Sequence, residues 1–142
     1  KRWDDSPKGR WTHRIIPDVS KWIKRRHGEV SYHLTQFLSG HGGYRAYLYR
    51  FGRDDSPYCP TCVMIPEDAE HVVFNCPRFA AHSAEAEIDA GARLTPKNIV
   101  DQMLASETSW RAVEKLMKAI HNLLRREELR RKVTNNDRSR SS

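Results

Sequence analysis

Three cysteines and one histidine fall within 18 residues of this chain, in the pattern C-x2-C-x8-H-x4-C. They are Cys59, Cys62, His71 and Cys76. The stretch around them holds Pro57, Pro60, Pro66 and Pro77 and little apolar content. Such a segment cannot build a core of its own, so whatever joins the four side chains decides how it folds. A C-x2-C turn presents two sulfurs from one tight knuckle, and Pro60 helps to hold that turn. A helix begun near Glu67 and stopped near Asn75 by Pro77 carries His71 and delivers Cys76 from the other side. Zinc suits the set, because it accepts soft thiolates and imidazole in a tetrahedron. With four protein ligands no position is left for water, so the reading is a structural and not a hydrolytic site. Three other readings stand beside it, one of them that the cysteines are unrelated free thiols. A redox C-x-x-C calls for a preceding strand and a βαβ setting, which the sequence does not show. An extracellular disulfide leaves an odd cysteine and needs an export signal, whereas the chain starts KRWDDSPKGRW.

The rest of the 142 residues reads as mainly α. Asp18 caps a helix with Val19, Trp22 and Ile23 on one side, closed at Gly28. Ser31 caps a second, with Leu34, Phe37 and Leu38 inward and Gly40 at its end. Tyr44, Tyr47, Leu48 and Phe51 predict a third, ending at Gly52. Residues 1–17 look irregular, and 53–66 are loop. Residues 78–90 predict a helix, and Thr95 with Pro96 starts another that carries Ile99, Val100, Met103 and Leu104. Trp110, Val113, Leu116, Met117, Ile120, Leu123 and Leu124 make a stripe that predicts a long amphipathic helix, packed on this domain or on a parent protein. The fold class is thus several short helices around a small Cys3His zinc module, then a long amphipathic C-terminal helix and a disordered tail. The expected divisions are 1–53, a basic helical segment; 54–80, the zinc module; 81–133, helical; and 134–142, a disordered tail.

Charge is segregated. The net is +7 overall, but +6 over 1–58, −5 over 59–108 and +6 over 109–142. Two basic surfaces around an acidic one suit phosphate partners, and equally suit a solvated surface with a basic tail. Ten of the thirteen aromatic residues precede Cys59, and most are expected in the core. No apolar run approaches the ~18 residues of a membrane span, so no membrane partner is expected. His41, flanked by Gly40, Gly42 and Gly43, either caps its loop or approaches a phosphate closely. His13, His27, His33, His82 and His121 have no ligand-like partners nearby in sequence. The pairs Asp4–Asp5 and Asp54–Asp55 precede Ser-Pro in loops, outside the strand-turn-strand setting of a polymerase dyad. No catalytic residue is assigned. The first residue is Lys1 and not Met, which reads as a piece of something longer.

GRWTHRIIPDVSKWIKRRHGEV (9–30), LTQFLSGHGGYRAYLYRFG (34–52), DDSPYCPTC with EDAEHVVFNCPRF (54–79) and LTPKNIVDQML (94–104) together resemble one family. It is the C-terminal region of the reverse transcriptase reading frame of non-LTR retrotransposons, above all the insect type-1 elements inserted in ribosomal RNA genes. The resemblance covers roughly residues 9–130. It implies that Cys59, Cys62, His71 and Cys76 are zinc ligands. It further implies that the parent is a Pol-type polyprotein with an endonuclease and a reverse transcriptase, acting in the nucleus by target-primed reverse transcription. The chain would be a non-catalytic part of that enzyme, binding element RNA, target DNA or both, with the upstream reverse transcriptase domain as a further partner. The candidate nucleic-acid contacts are Arg10, Arg14, Lys21, Lys24, Arg25, Arg26, His41, Arg45, Arg50, Arg53 and Arg78. The alternative is a zinc-stabilised domain that docks on the polymerase core and touches no nucleic acid.

Overall fold

The computed structural model describes residues 10–16 and 18–141, with side chains at 11–16 and 18–134. Arg10's side chain, Trp3 and Pro17 lie outside the described residues. Helices dominate as expected, and among the described residues the only β pairing is one isolated antiparallel bridge, Tyr58 to Pro66.

The longest element organises the others. Helix α7 (Glu107–Ser141) is opened by Ser106, whose hydroxyl accepts from the Ser109 amide at 3.0 Å. Trp110, Val113, Leu116, Met117, Ile120 and Leu124 are all buried along one side of it. Helices α5 (Ala80–Ala90), α6 (Ile99–Ala105) and α3 (Tyr32–Ser39) pack there. The stripe is therefore consumed inside this domain and does not form a coiled coil. The expected disordered tail, 134–142, lies beyond the described side chains except for Thr134.

Local chemistry explains most helix ends. The Ser31 hydroxyl accepts from the Leu34 amide at 3.2 Å, and Leu34, Phe37 and Leu38 of α3 face inward as the spacing predicts. Before α6, Thr95 and Asn98 cap each other: the Thr95 amide donates to Asn98 Oδ1 at 2.7 Å and the Asn98 amide to Thr95 Oγ1 at 3.2 Å. That reciprocal pair holds 96–98 in a turn, so the α-helix starts at Ile99 and not at Pro96. Helix α4 spans Arg45–Arg50.

Two expectations near the N-terminus need correction. Part of 1–17 is helical: α1 spans Arg10–Ile15. It is held by long-range bonds, Trp11 Nε1 to the Phe37 carbonyl at 2.7 Å and Thr12 Oγ1 to the Leu38 carbonyl at 2.8 Å. The helix capped by Asp18, α2, stops at Ile23 and does not reach Gly28. Arg25 ends it by folding back. Its guanidinium lies over Trp22 and Trp110, at 4.6 and 5.2 Å from the ring centroids, and donates to the Trp22 and Gly28 carbonyls. Trp22 stacks on Trp110 at 5.2 Å, and Trp110 Nε1 donates to the Glu29 carbonyl. Gly28 has φ +91, and a Cβ there would sit 2.4 Å from the Trp110 ring. The early aromatics divide, with Trp11, Trp22 and Tyr47 packed against the core. Tyr44 and Phe37 are buried, but Tyr32, Tyr49, Phe51 and Tyr58 are exposed.

One polar chain crosses the core. Tyr44 Oη and His121 Nε2 are 2.6 Å apart, and His121 Nδ1 is 3.3 Å from His33 Nδ1. Burial, aided by His33, pushes His121 down to about 4, which keeps its imidazole neutral as a hydrogen-bonding group.

Gly28→Ala should lower unfolding stability by roughly 2–4 kcal/mol, from overpacking against Trp110 and left-handed backbone strain. Urea titration followed by tryptophan fluorescence measures it, and an unchanged midpoint would contradict this packing.

Candidate metal centre

The knuckle is built from its backbone outward. The Cys59 amide donates to the Ile65 carbonyl at 2.8 Å, and the Val63 amide to the Cys59 carbonyl at 2.8 Å. The Cys62 amide points at Cys59 Sγ, 3.4 Å away. This tight turn requires φ +62 at Val63, an uncommon conformation for a β-branched residue. Val63, Met64 and Ile65 stand exposed at its tip.

The other two candidate ligands come from a helical turn capped by Asp68, whose Oδ1 accepts from the His71 amide at 2.9 Å. That turn is a π-helix, His71–Asn75, closed by the Cys76 amide on the His71 carbonyl at 2.7 Å. In an α-helix residues five apart point roughly 140° away from each other. The wider π turn and the extended backbone at Cys76 bring both side chains to one point.

All four ligand atoms lie within 4.8 Å of one another. Cys59 Sγ and Cys76 Sγ are 3.8 Å apart. Two sulfurs of a tetrahedral site with metal–sulfur bonds of about 2.3 Å would be about 3.8 Å apart. Cys59, His71 and Cys76 are buried, and His71 Nε2 is a buried nitrogen with no hydrogen-bond partner. An orphaned imidazole nitrogen costs free energy unless a ligand fills it. Burial, then the neighbouring Cys59 and Cys76, push the Cys62 thiol up to about 11. Burial also holds His71 below its ordinary value, favouring the neutral, ligating form. These donors fit a metal ion.

Arg78 completes the centre. Its Nε donates to Cys76 Sγ at 3.2 Å, and one terminal nitrogen lies 3.4 Å from Cys59 Sγ and 2.6 Å from Glu67 Oε2. The other terminal nitrogen pairs with Glu127 of α7. Glu67 is 1% exposed. Burial raises its carboxyl above the ordinary value even with Arg78 beside it. Its Oε1 also accepts from the Arg45 amide at 3.1 Å.

The sequence places Arg78 among nucleic-acid contacts; the structure turns it inward. Arg45 is likewise buried, bound to Asp54 at 2.8 Å and Asp55 at 2.9 Å. Arg14 forks onto Glu70 with bonds of 2.7 and 2.8 Å. Arg25 is held between the two tryptophans described above. His41 stacks on Tyr47 at 4.7 Å, and its amide donates to the Ser39 hydroxyl. Lys21, Lys24, Arg26, Arg50 and Arg53 are exposed and make no ion pair with the described residues. Glu67 and Glu127 were not foreseen as supports of the centre. Glu127 is 49 positions from Arg78, and nothing local in the sequence marks it.

No family model matches the chain, and no solved structure matches it. Three curated proteins do. Over 78 residues, 55% of this chain, it is 35% identical to the "Retrovirus-related Pol polyprotein from type-1 retrotransposable element R1" of Bradysia coprophila. Over 79 residues it is 37% identical to the R1 2 Pol polyprotein of Nasonia vitripennis. Over 80 residues it is 36% identical to the "Putative 115 kDa protein in type-1 retrotransposable element R1DM" of Drosophila melanogaster. This segment is homologous to R1 retrotransposon Pol polyproteins. The matched regions make up 8%, 19% and 8% of those relatives, so the chain spans a small part of their length.

Arg78→Lys keeps the charge and loses the fork that reaches two sulfurs and two carboxylates. It should weaken metal binding about 10- to 100-fold, read by competition with a chromophoric chelator. Undiminished affinity would show that the guanidinium does not support the ligands.

Proposed function

We propose that the chain is a zinc-stabilised, non-catalytic part of a retrotransposon Pol polyprotein, and that it binds element RNA or target DNA during target-primed reverse transcription in the nucleus. The reading is carried by one coincidence: a converged Cys3His cluster in a chain homologous to R1 Pol polyproteins. Zinc is the ion of choice, because three sulfurs and an imidazole at tetrahedral spacing match its preferences. Its role is structural. It joins the knuckle to the π turn, and four protein donors leave no open position for a reacting water. No catalytic step falls to this chain; the polymerase and endonuclease chemistry belongs to other parts of the parent.

The cations left over after internal pairing support the nucleic-acid role. Lys21, Lys24 and Arg26 flank the turn locked on Trp110, and Arg50 and Arg53 close α4. Side chains of this kind hold phosphates by position and charge and carry no sequence reading of their own. The acidic metal segment braces, and the helices before it grip.

A docking role has one observation in its favour, the exposed Val63, Met64 and Ile65 at the knuckle tip. The stripe on α7 does not serve it, since α3, α5 and α6 already cover that stripe.

Elemental analysis of purified protein should find about one zinc ion per chain, and chelation should reduce helical circular dichroism. A metal-free chain of full helicity would overturn the zinc assignment. Joint reversal of Lys21, Lys24 and Arg26 to Glu should weaken binding to RNA or nicked DNA at least 10-fold. It should also flatten the salt dependence by about 0.7–0.9 in log–log slope per lost contact. Unchanged affinity and slope would remove this face from the site.

A further inference from the structure

A cleft of about 480 Å³ opens between α3, α4 and α7, away from the four metal ligands. Its lining is unlike the apolar core. Tyr32 stands in it 75% exposed, a large aromatic ring left to water. Gln36 and Asn122 bring side-chain amides, and His33 brings the outer imidazole of the chain that runs through His121 to Tyr44. Arg53 and Arg125 are the cations of the cleft. Arg53 has no carboxylate partner among the described residues. Arg125 shares the single buried carboxylate of Glu128 with Lys132, at 3.0 Å each, so one negative charge faces two positive ones. The cleft carries a positive surplus.

Glycine lets the loop that borders it pack closely on α3. Gly42 has φ +133, and a Cβ there would fall 2.2 Å from Gln36 Oε1. At Gly43 a Cβ would meet nothing within 4 Å, so the backbone borders open space.

We propose that this cleft holds one unstacked nucleotide of a single-stranded nucleic acid, its base against Tyr32 and its flanking phosphates at Arg53 and Arg125. The inference rests on the nucleic-acid reading above and assigns that reading a place and a strand type. Three features select this ligand. An exposed aromatic ring beside guanidinium groups is the combination that stacks a base and holds its backbone. Side-chain amides and an imidazole offer donors and acceptors to a base edge. A cleft of this size admits a single base, and a base inside a duplex cannot enter without being flipped out, which costs unstacking energy.

The test uses the zinc-loaded full chain and a short oligouridylate carrying one 4-thiouridine, beside its deoxy counterpart and a duplex of matching length. Photocrosslinking is expected to map to the peptide containing Tyr32 or Tyr47. Tyr32→Ala should weaken single-strand binding about 10-fold, while Tyr32→Phe preserves it. Gly43→Trp, placed where a side chain meets open space, should fill the cleft and weaken binding to a similar degree without lowering the unfolding midpoint. Unchanged single-strand affinity in both Tyr32→Ala and Gly43→Trp, crosslinks elsewhere, or tighter binding of the duplex would each overturn the cleft assignment. Each would leave the broader function standing so long as the Lys21, Lys24 and Arg26 reversal weakens binding. Absence of binding to every probe by the unmodified chain would overturn both.

Discussion

The structure turns on one guanidinium. Arg78 touches two cysteine sulfurs, the buried Glu67 and Glu127 on α7, and so ties the knuckle, the segment before α5 and the longest helix to a single point. A buried ion pair of this kind gains little net stability over well-packed apolar groups, because both charges must be stripped of water. What it supplies is placement. Three thiolates around a divalent ion would carry a formal −1, and a cation fixed beside two of the sulfurs would oppose that charge. Among the ties of the metal segment to the helical body, which include Glu70 to Arg14, Glu67 to the Arg45 amide and the apolar contacts of Val72, Val73 and Phe79, the link to Glu127 is the one that passes through a residue touching the sulfurs.

Pairing across segments changes the meaning of the charge layout. Along the chain, an acidic middle separates two basic ends. In space, carboxylates of the loop and metal segment neutralise arginines from both ends: Glu70 takes Arg14, and Asp54 takes Arg45 and Arg131, while Glu67 takes Arg78 of the middle segment itself. The basic excess before Cys59 is therefore smaller at the surface than in the sequence. It contracts to the residues after α2, to the end of α4 and to the cleft mouth. A count of cations by segment locates a basic region; only their partners show which of them a phosphate can reach.

The same distinction decides what was legible. The convergence of the Cys3His cluster was readable because its spacing rule lies within 18 residues and names its donors. Helices α3 and α7 were readable because the cap of one and the apolar stripe of both are local. Helix α1 was not, since its six residues are fixed by Phe37 and Leu38, 26 positions away. Nor was the early end of α2, because Arg25 leaves the helix to lie on Trp110. Arg78 was read as a phosphate contact because it is a cation just after Cys76. Its partners at 67 and 127 come together only in the folded chain.

Helix α7 joins the metal centre to the proposed nucleotide cleft. Glu127 and Glu128 are consecutive, and consecutive helical side chains diverge by about 100°. Glu127 turns to Arg78 and the sulfurs, while Glu128 turns to Arg125 and Lys132 at the cleft. About two turns earlier, His121 reaches Tyr44 and His33 and sets the cleft floor. The buried stripe sets the rotation of α7 about its axis, and that one rotation sends Glu127 to Arg78 and Glu128 toward the cleft.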